Sequence, residues 1–197
     1  PLEQQQAADQ AHAKFDDEKS EFLGTLKLWS WLEQSRGGHG EHRLSSRKHE
    51  QLLRENFVSP RRVREWRDVH AQLQTVVTEH GWRLNATAPT YEQLHQSVLA
   101  GLLGNIGTKS DEDESYLGAR GIRFWRHPGA RLSKKPGRWI VAAELVETTR
   151  LYARGIAAIE PQWLPALAGH LIKKQLLEPH WEKKAAQVIA LERATLY

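Results

Sequence analysis

Seven cations, Arg120, Arg123, Arg126, Arg131, Lys134, Lys135 and Arg138, fall in a stretch that contains no acid between Glu114 and Glu144. Phe124, Trp125 and Trp139 are interleaved with them. Guanidinium and ammonium groups neutralise phosphates, and an exposed aromatic accepts a stacked base. The combination therefore suits a single-stranded polyanion. A solvated basic face is the plainer reading of the same residues. Arg123, Arg126, Arg131, Lys134, Lys135 and Arg138 are the candidates for backbone contact. Trp125 is the candidate stacking residue, with packing inside the fold as its alternative, whereas Trp139 is expected in a core.

Other chemistry is weaker. GLLGNIGTK (101–109) has the glycines of a phosphate loop, but a helix leads into it and Thr108 precedes Lys109, the reverse of the order a nucleotide cradle needs. A helix end and exit turn fits better. His39, His42 and His49 cluster among glycines without metal-ligand spacing, and the run Asp111-Glu112-Asp113-Glu114 reads as a solvated loop. Asn85-Ala86-Thr87 matches a glycosylation sequon. With no cysteine, thiol nucleophiles, disulfides and Cys-ligated metals are excluded. No serine–histidine–carboxylate order or paired carboxylates support a catalytic site.

The elements that must position these residues change character along the chain. Phe15, Phe22, Leu26, Trp29 and Leu32 form a helical stripe between about Ala8 and Gln34, followed by the glycine-rich SRGGHGEHRLSSR. Leu52, Leu53 and Phe57 belong to a second block; Pro60 suits the first turn of a new helix, and Val63, Trp66, Val69, Leu73, Val76 and Val77 continue its stripe. Thr90 is placed to cap a third helix from Tyr91 to about Leu103. Beyond Gly107 the apolar period falls to two, in short runs broken by Gly and Pro, which predicts a small barrel over about 115–160. Pro161 opens a helix with Trp163, Leu164, Leu167 and Leu171, and the tail 178–197 fits helix or strand. The expected fold class is α+β: a helical domain over 1–106, a five-stranded barrel with a trailing helix over 107–175, and the start of a further region over 176–197.

Composition agrees with a folded protein. The chain has 197 residues, 26% charged and 40% hydrophobic, with a net charge of +4. Residues 1–100 hold 13 Lys and Arg against 14 Asp and Glu, and 101–197 hold 15 against 10, so the basic excess lies in the second part. No apolar run approaches a membrane span, the N-terminus has no signal-like stretch, and a cytoplasmic protein is the expectation. A start at Pro1, no Met and an uncapped apolar end read as a piece of a longer chain.

Three ordered segments carry a resemblance. AKFDDEKSEFLGTLKLWSWLE (13–33) resembles the opening of the helicase-associated domain of DEAH-box RNA helicases. LRENFVSPRRVREWRDVHAQL (53–73) resembles the same family through Asn56, Phe57, Arg61, Arg67, Asp68, Val69, Gln72 and Leu73, with Pro60 replacing an expected aromatic. The stretch 127–164 resembles its C-terminal OB-fold through His127-Pro128, Pro136 to Trp139, Glu144 to Thr149, Tyr152 to Arg154 and Pro161 to Leu164, and the tail resembles the bacterial HrpA type.

The resemblance implies an ATP-dependent helicase moving 3′ to 5′ on single-stranded RNA with two RecA-like motor domains. No Walker lysine or Asp-Glu-Ala-His box occurs in these residues. ATP and Mg²⁺ are then expected in motor domains elsewhere in the parent, with no cofactor in this piece. The implied partners are single-stranded RNA and those motor domains, with no membrane, and the piece is expected to be monomeric. Arg61 and Arg64 are further RNA candidates, although Arg61 fits a salt bridge within the helices equally well. A module that docks on protein surfaces is the alternative.

Overall fold

A computed structural model describes residues 2–37, 44–132 and 136–196. The chain forms two compact units, one made of residues up to Asp17 with Glu21–Pro89, the other of Glu18–Ser20 with Thr90 onward.

The first unit is helical: α1 (Gln5–His12), α2 (Glu21–Ser35), α3 (Ser46–Glu55) and α4 (Pro60–Glu79). Local chemistry sets the ends. The Ser45 hydroxyl accepts from the Lys48 amide at the start of α3, and Ser59 accepts from Arg62 where Pro60 opens α4. Between them Phe57 takes a left-handed conformation, φ 56°. The Val58 amide then reaches back to the Leu53 carbonyl at 2.8 Å, which closes α3 with a Phe where glycine is usual. Asn56 pins this corner, since its Oδ1 accepts from Lys14 Nζ at 2.8 Å and its Nδ2 donates to the Leu52 carbonyl at 2.9 Å. Leu32, Leu53 and Val63 make the core, with Leu28, Trp31, Val58 and Trp66 around it. The α4 stripe is buried only at its start: Val69, Leu73 and Val76 are exposed, as are Trp82 and Leu84.

The second unit is a closed barrel in the order β1-β2-β3-β5-β4. Its strands are β1 (Ile106–Lys109), β2 (Ser115–Gly118), β3 (Arg123–Arg126), β4 (Trp139–Glu147) and β5 (Leu151–Ala158). All pairings are antiparallel except β3 with β5. This is the arrangement of an OB-fold, so the α+β class stands. Tyr116, Phe124, Leu132, Ile140, Ala142, Ala153 and Ile156 fill the barrel. Gly107 makes room for one of them: a Cβ there would fall on the Phe124 ring.

The helix α5 (Tyr91–Ala100) falls in this second unit. Polar groups fasten it. Thr90 and Gln93 form a reciprocal capping box. The Tyr91 hydroxyl donates to the Ala158 carbonyl at 2.6 Å, and buried His95 meets Ser20 Oγ at 2.6 Å through Nε2. Ser20 in turn bridges to Ala157 of β5.

Two expectations need correction, and the tail, open between helix and strand, resolves as strand. Trp139 is half-buried and sits at the same strand parity as Val141, while Ile140 and Ala142 enter the barrel core. The helix expected from Pro161 is reduced to α6 (Leu164–Leu167) between single 3-10 turns: Pro165 has no amide to donate to the Pro161 carbonyl, and Gly169 follows the helix end. The tail forms a hairpin of β6 (Ile172–Glu182) and β7 (Gln187–Leu196), with a bulge between Leu177 and His180 around Pro179. A proline inside 172–182 disfavours helix and is accommodated at a bulge.

Candidate nucleic-acid interface

Strand β3 carries the centre of the basic stretch. Its Phe124 is 1% exposed and turned into the barrel, so alternation puts Arg123 and Trp125 on the opposite face. Parallel pairing with β5 sets Trp125 beside Tyr152 and Arg126 beside Ala153. The Arg150 guanidinium carbon lies 4.9 Å from the centre of the Trp125 ring, a cation–π contact. Trp125 is half-buried, with one aromatic face already engaged by a cation.

The His-Pro turn follows directly. The Gly129 amide donates to His127 Nδ1 at 3.0 Å, and the His127 ring meets Tyr152 edge-on at 5.8 Å between centres. Arg154 Nη2 lies 3.0 Å from His127 Nε2. Arg150, Tyr152 and Arg154 thus join the face that the local stretch only begins. Tyr152 and Arg154 lie on β5 and Arg150 directly before it, some 25 residues further along the chain, and composition of the 120–138 stretch alone does not point to them. The Tyr-x-Arg element of the resemblance was the one available sign of two of them.

The connection between β1 and β2 supplies the opposite charge. Arg123 faces Glu112 at 3.7 Å and Asp113 at 3.8 Å; Arg126 faces Glu114 at 4.0 Å; Arg138 faces Asp111 at 3.5 Å; Lys109 meets Glu114 at 3.0 Å. The acidic run therefore packs onto cations that sequence reasoning treated separately from it. Asp113 also accepts from the Ser115 amide at 2.8 Å and from the Ser115 hydroxyl, and these hydrogen bonds hold its carboxyl below the usual range. Below β3, the Tyr116 hydroxyl donates to the Gly137 carbonyl at 3.2 Å, and burial raises its pKa above the ordinary phenol value.

Not every candidate joins this face. Arg131 is half-buried in the connection leading to β4. Lys134 and Lys135 lie outside the described residues, as do His39 and His42. Arg61 and Arg64 belong to the helical unit, where they pair with Glu65 at 2.9 Å and Glu50 at 3.1 Å. His49 is buried beside Ser35 Oγ at 3.3 Å; burial, then Arg67 and Arg36, keep its pKa below the usual imidazole value. Among the described residues no group of three or more His, Asp or Glu is arranged to hold a metal. GLLGNIGTK runs from the end of α5 through a 3-10 turn into β1, a helix-to-strand order unlike a phosphate loop. No helix among the described residues is long and apolar enough to cross a membrane.

Residues 94–172 match the family described as the oligonucleotide/oligosaccharide-binding (OB)-fold. Over all 197 residues the chain is 42% identical to the ATP-dependent RNA helicase HrpA of Escherichia coli and 41% identical to its homolog in Haemophilus influenzae. It is 21% identical over 174 residues, 88% of this chain, to the pre-mRNA-splicing factor ATP-dependent RNA helicase prp22 of Schizosaccharomyces pombe. The chain spans 15% of the length of each of the first two and 14% of the third.

Proposed function

We propose that this chain, which matches a fragment of the HrpA-type DEAH-box RNA helicases and carries their OB-fold, is an RNA-binding accessory region of an ATP-dependent 3′ to 5′ RNA helicase. One observation carries the reading: Arg123 and Trp125 share the outer face of β3 in an OB barrel, Arg150 just before the paired strand β5 stacks on Trp125, and Arg126 ends β3. The cations take phosphates without regard to sequence, and Trp125 exchanges or extends its stack on Arg150 to accept a base. Arg138 extends that path, Arg131, Lys134 and Lys135 are further phosphate contacts in this reading, and the barrel closes one side of a single-stranded RNA channel in the cytoplasmic parent protein. Arg61 and Arg64 of the helical unit are secondary RNA contacts in this reading.

ATP hydrolysis, with Mg²⁺, belongs in this reading to RecA-like motor domains outside the chain. The chain alone, as a monomer, is expected to show no ATP turnover with or without RNA. Measurable turnover by the purified chain overturns that expectation.

Single-strand binding with phosphate contacts has a defined signature. Each contact contributes about −0.7 to the slope of log affinity against log salt, so Arg123, Arg126 and Arg138 together give a slope near −2. Titration of single-stranded RNA at two salt concentrations checks this. A flat response, or no binding at low salt, favours a module that docks on protein. That second reading has its own support in the exposed Val69, Leu73 and Val76 of α4, with Trp82 and Leu84 just beyond it.

A further inference from the structure

The β1–β2 connection places carboxylates on cations drawn from three separate places in the fold: Lys109 at the end of β1, Arg123 and Arg126 on β3, and Arg138 just before β4. An acidic turn kept only for solubility has no reason to fall on four of them. From this match we infer that Asp111, Glu112 and Glu114 form an intramolecular polyanion that occupies the phosphate path and must be displaced by RNA. The inference rests on the RNA-binding reading above.

The contacts are built for exchange. Asp111, Glu112 and Glu114 have side chains 86%, 81% and 73% exposed, and the pairs with Arg138, Arg123 and Arg126 run from 3.5 to 4.0 Å, while the Glu114 contact to Lys109 is shorter, at 3.0 Å. Exposed pairs at such separations are individually weak and screened by salt. Asp113 plays a different part. Its carboxylate accepts from the Ser115 amide, which anchors the base of the turn at the first residue of β2. The remaining acids therefore stay tethered at high local concentration over the basic face, before and after release.

The consequence is selectivity for strand length. A single phosphate or a mononucleotide meets one cation and competes against a tethered carboxylate that is always present. A longer strand delivers several phosphates together and displaces the whole set. The acids thus act as a threshold that short anions, free nucleotides included, do not cross.

The test compares three versions of the 197-residue chain. The first is unaltered. The second carries Asp111→Asn, Glu112→Gln and Glu114→Gln, leaving Asp113 to hold the turn. The third carries Glu147→Gln, Glu160→Gln and Glu178→Gln, an equal change in net charge at positions away from the acidic turn. Affinity is measured for an oligouridylate of about 12 nucleotides, within the site size of an OB-fold, and for uridine monophosphate. The turn variant is expected to bind the oligonucleotide about tenfold more tightly at low salt, with a steeper salt slope and a measurable gain for the mononucleotide. The control variant should gain far less on both. Equal gains in the two variants overturn the inference, because a general field then explains the effect. So does an unchanged affinity in the turn variant while RNA binding itself persists. If no version binds the oligonucleotide, the RNA-binding reading fails, and the occupied phosphate path falls with it.

Discussion

Arg67 in the helical unit and Arg123 on the barrel both face carboxylates, yet they are different kinds of arginine. Arg67 is 22% exposed, meets Glu33 at 3.0 Å and also reaches the Leu32 carbonyl at the end of α2, over the core residue Leu32. Arg123 is 51% exposed and looks at two loop acids from 3.7 and 3.8 Å without a closer partner among the described contacts. A short, partly buried pair holds two elements in register and costs stability when broken. A long, exposed pair is a reservoir of charge that a ligand can take over. Basic residues of equal charge thus divide by geometry into those that build the fold and those left for a partner.

The sharpest way to break that division is at the barrel core itself. Phe124→Ala empties a fully buried ring position and should cost about 3–5 kcal/mol in denaturant unfolding, with RNA binding lost only as a result of unfolding. Next, Arg67→Ala should cost about 1.5–3 kcal/mol, since it removes a charged hydrogen bond and strips the Leu32 carbonyl of its contact. Arg123→Ala should change stability by less than about 0.5 kcal/mol while weakening RNA of every sequence alike. A large stability loss from Arg123→Ala in the same unfolding assay would erase the distinction.

The smallest expected effect is a pH dependence confined to the helical unit. The His49 pKa is lowered in the fold from 6.5, so the unfolded chain holds the proton more readily. The stability gained is therefore present above that value and is lost as pH falls below 6.5 toward the folded value. His49→Gln should flatten the fall in unfolding midpoint between about pH 7.5 and 5, leaving RNA affinity unmoved. An unaltered pH profile in that variant would show that other groups control it.

Much of this was legible along the chain because its causes are local. Ser59 before Pro60, Thr90 three residues before Gln93, and the change of apolar period near Gly107 each act within a turn or a strand. The residue patterns at 53–73 and 127–164 likewise carried a family resemblance, and the barrel implied by 127–164 is the fold observed. Trp139 was misjudged for an equally clear reason: a strand apolar on both faces does not say which face closes on the barrel. The α4 stripe shows the same ambiguity, since the pattern at Val69, Leu73 and Val76 is that of a buried face although it is exposed here.

By itself the sequence determined the helix starts, the switch to strands and the cluster of cations, because capping, proline and alternation are interactions between near neighbours. Only the tertiary structure decided what those cations meet. Closing the barrel pairs β3 with β5 in parallel and brings Arg150 onto Trp125; it also sets Asp111 against Arg138 across 27 positions of chain. Such contacts depend on strand order and register, which follow from how the whole barrel buries Tyr116, Phe124 and Ile156 rather than from any single stretch of residues.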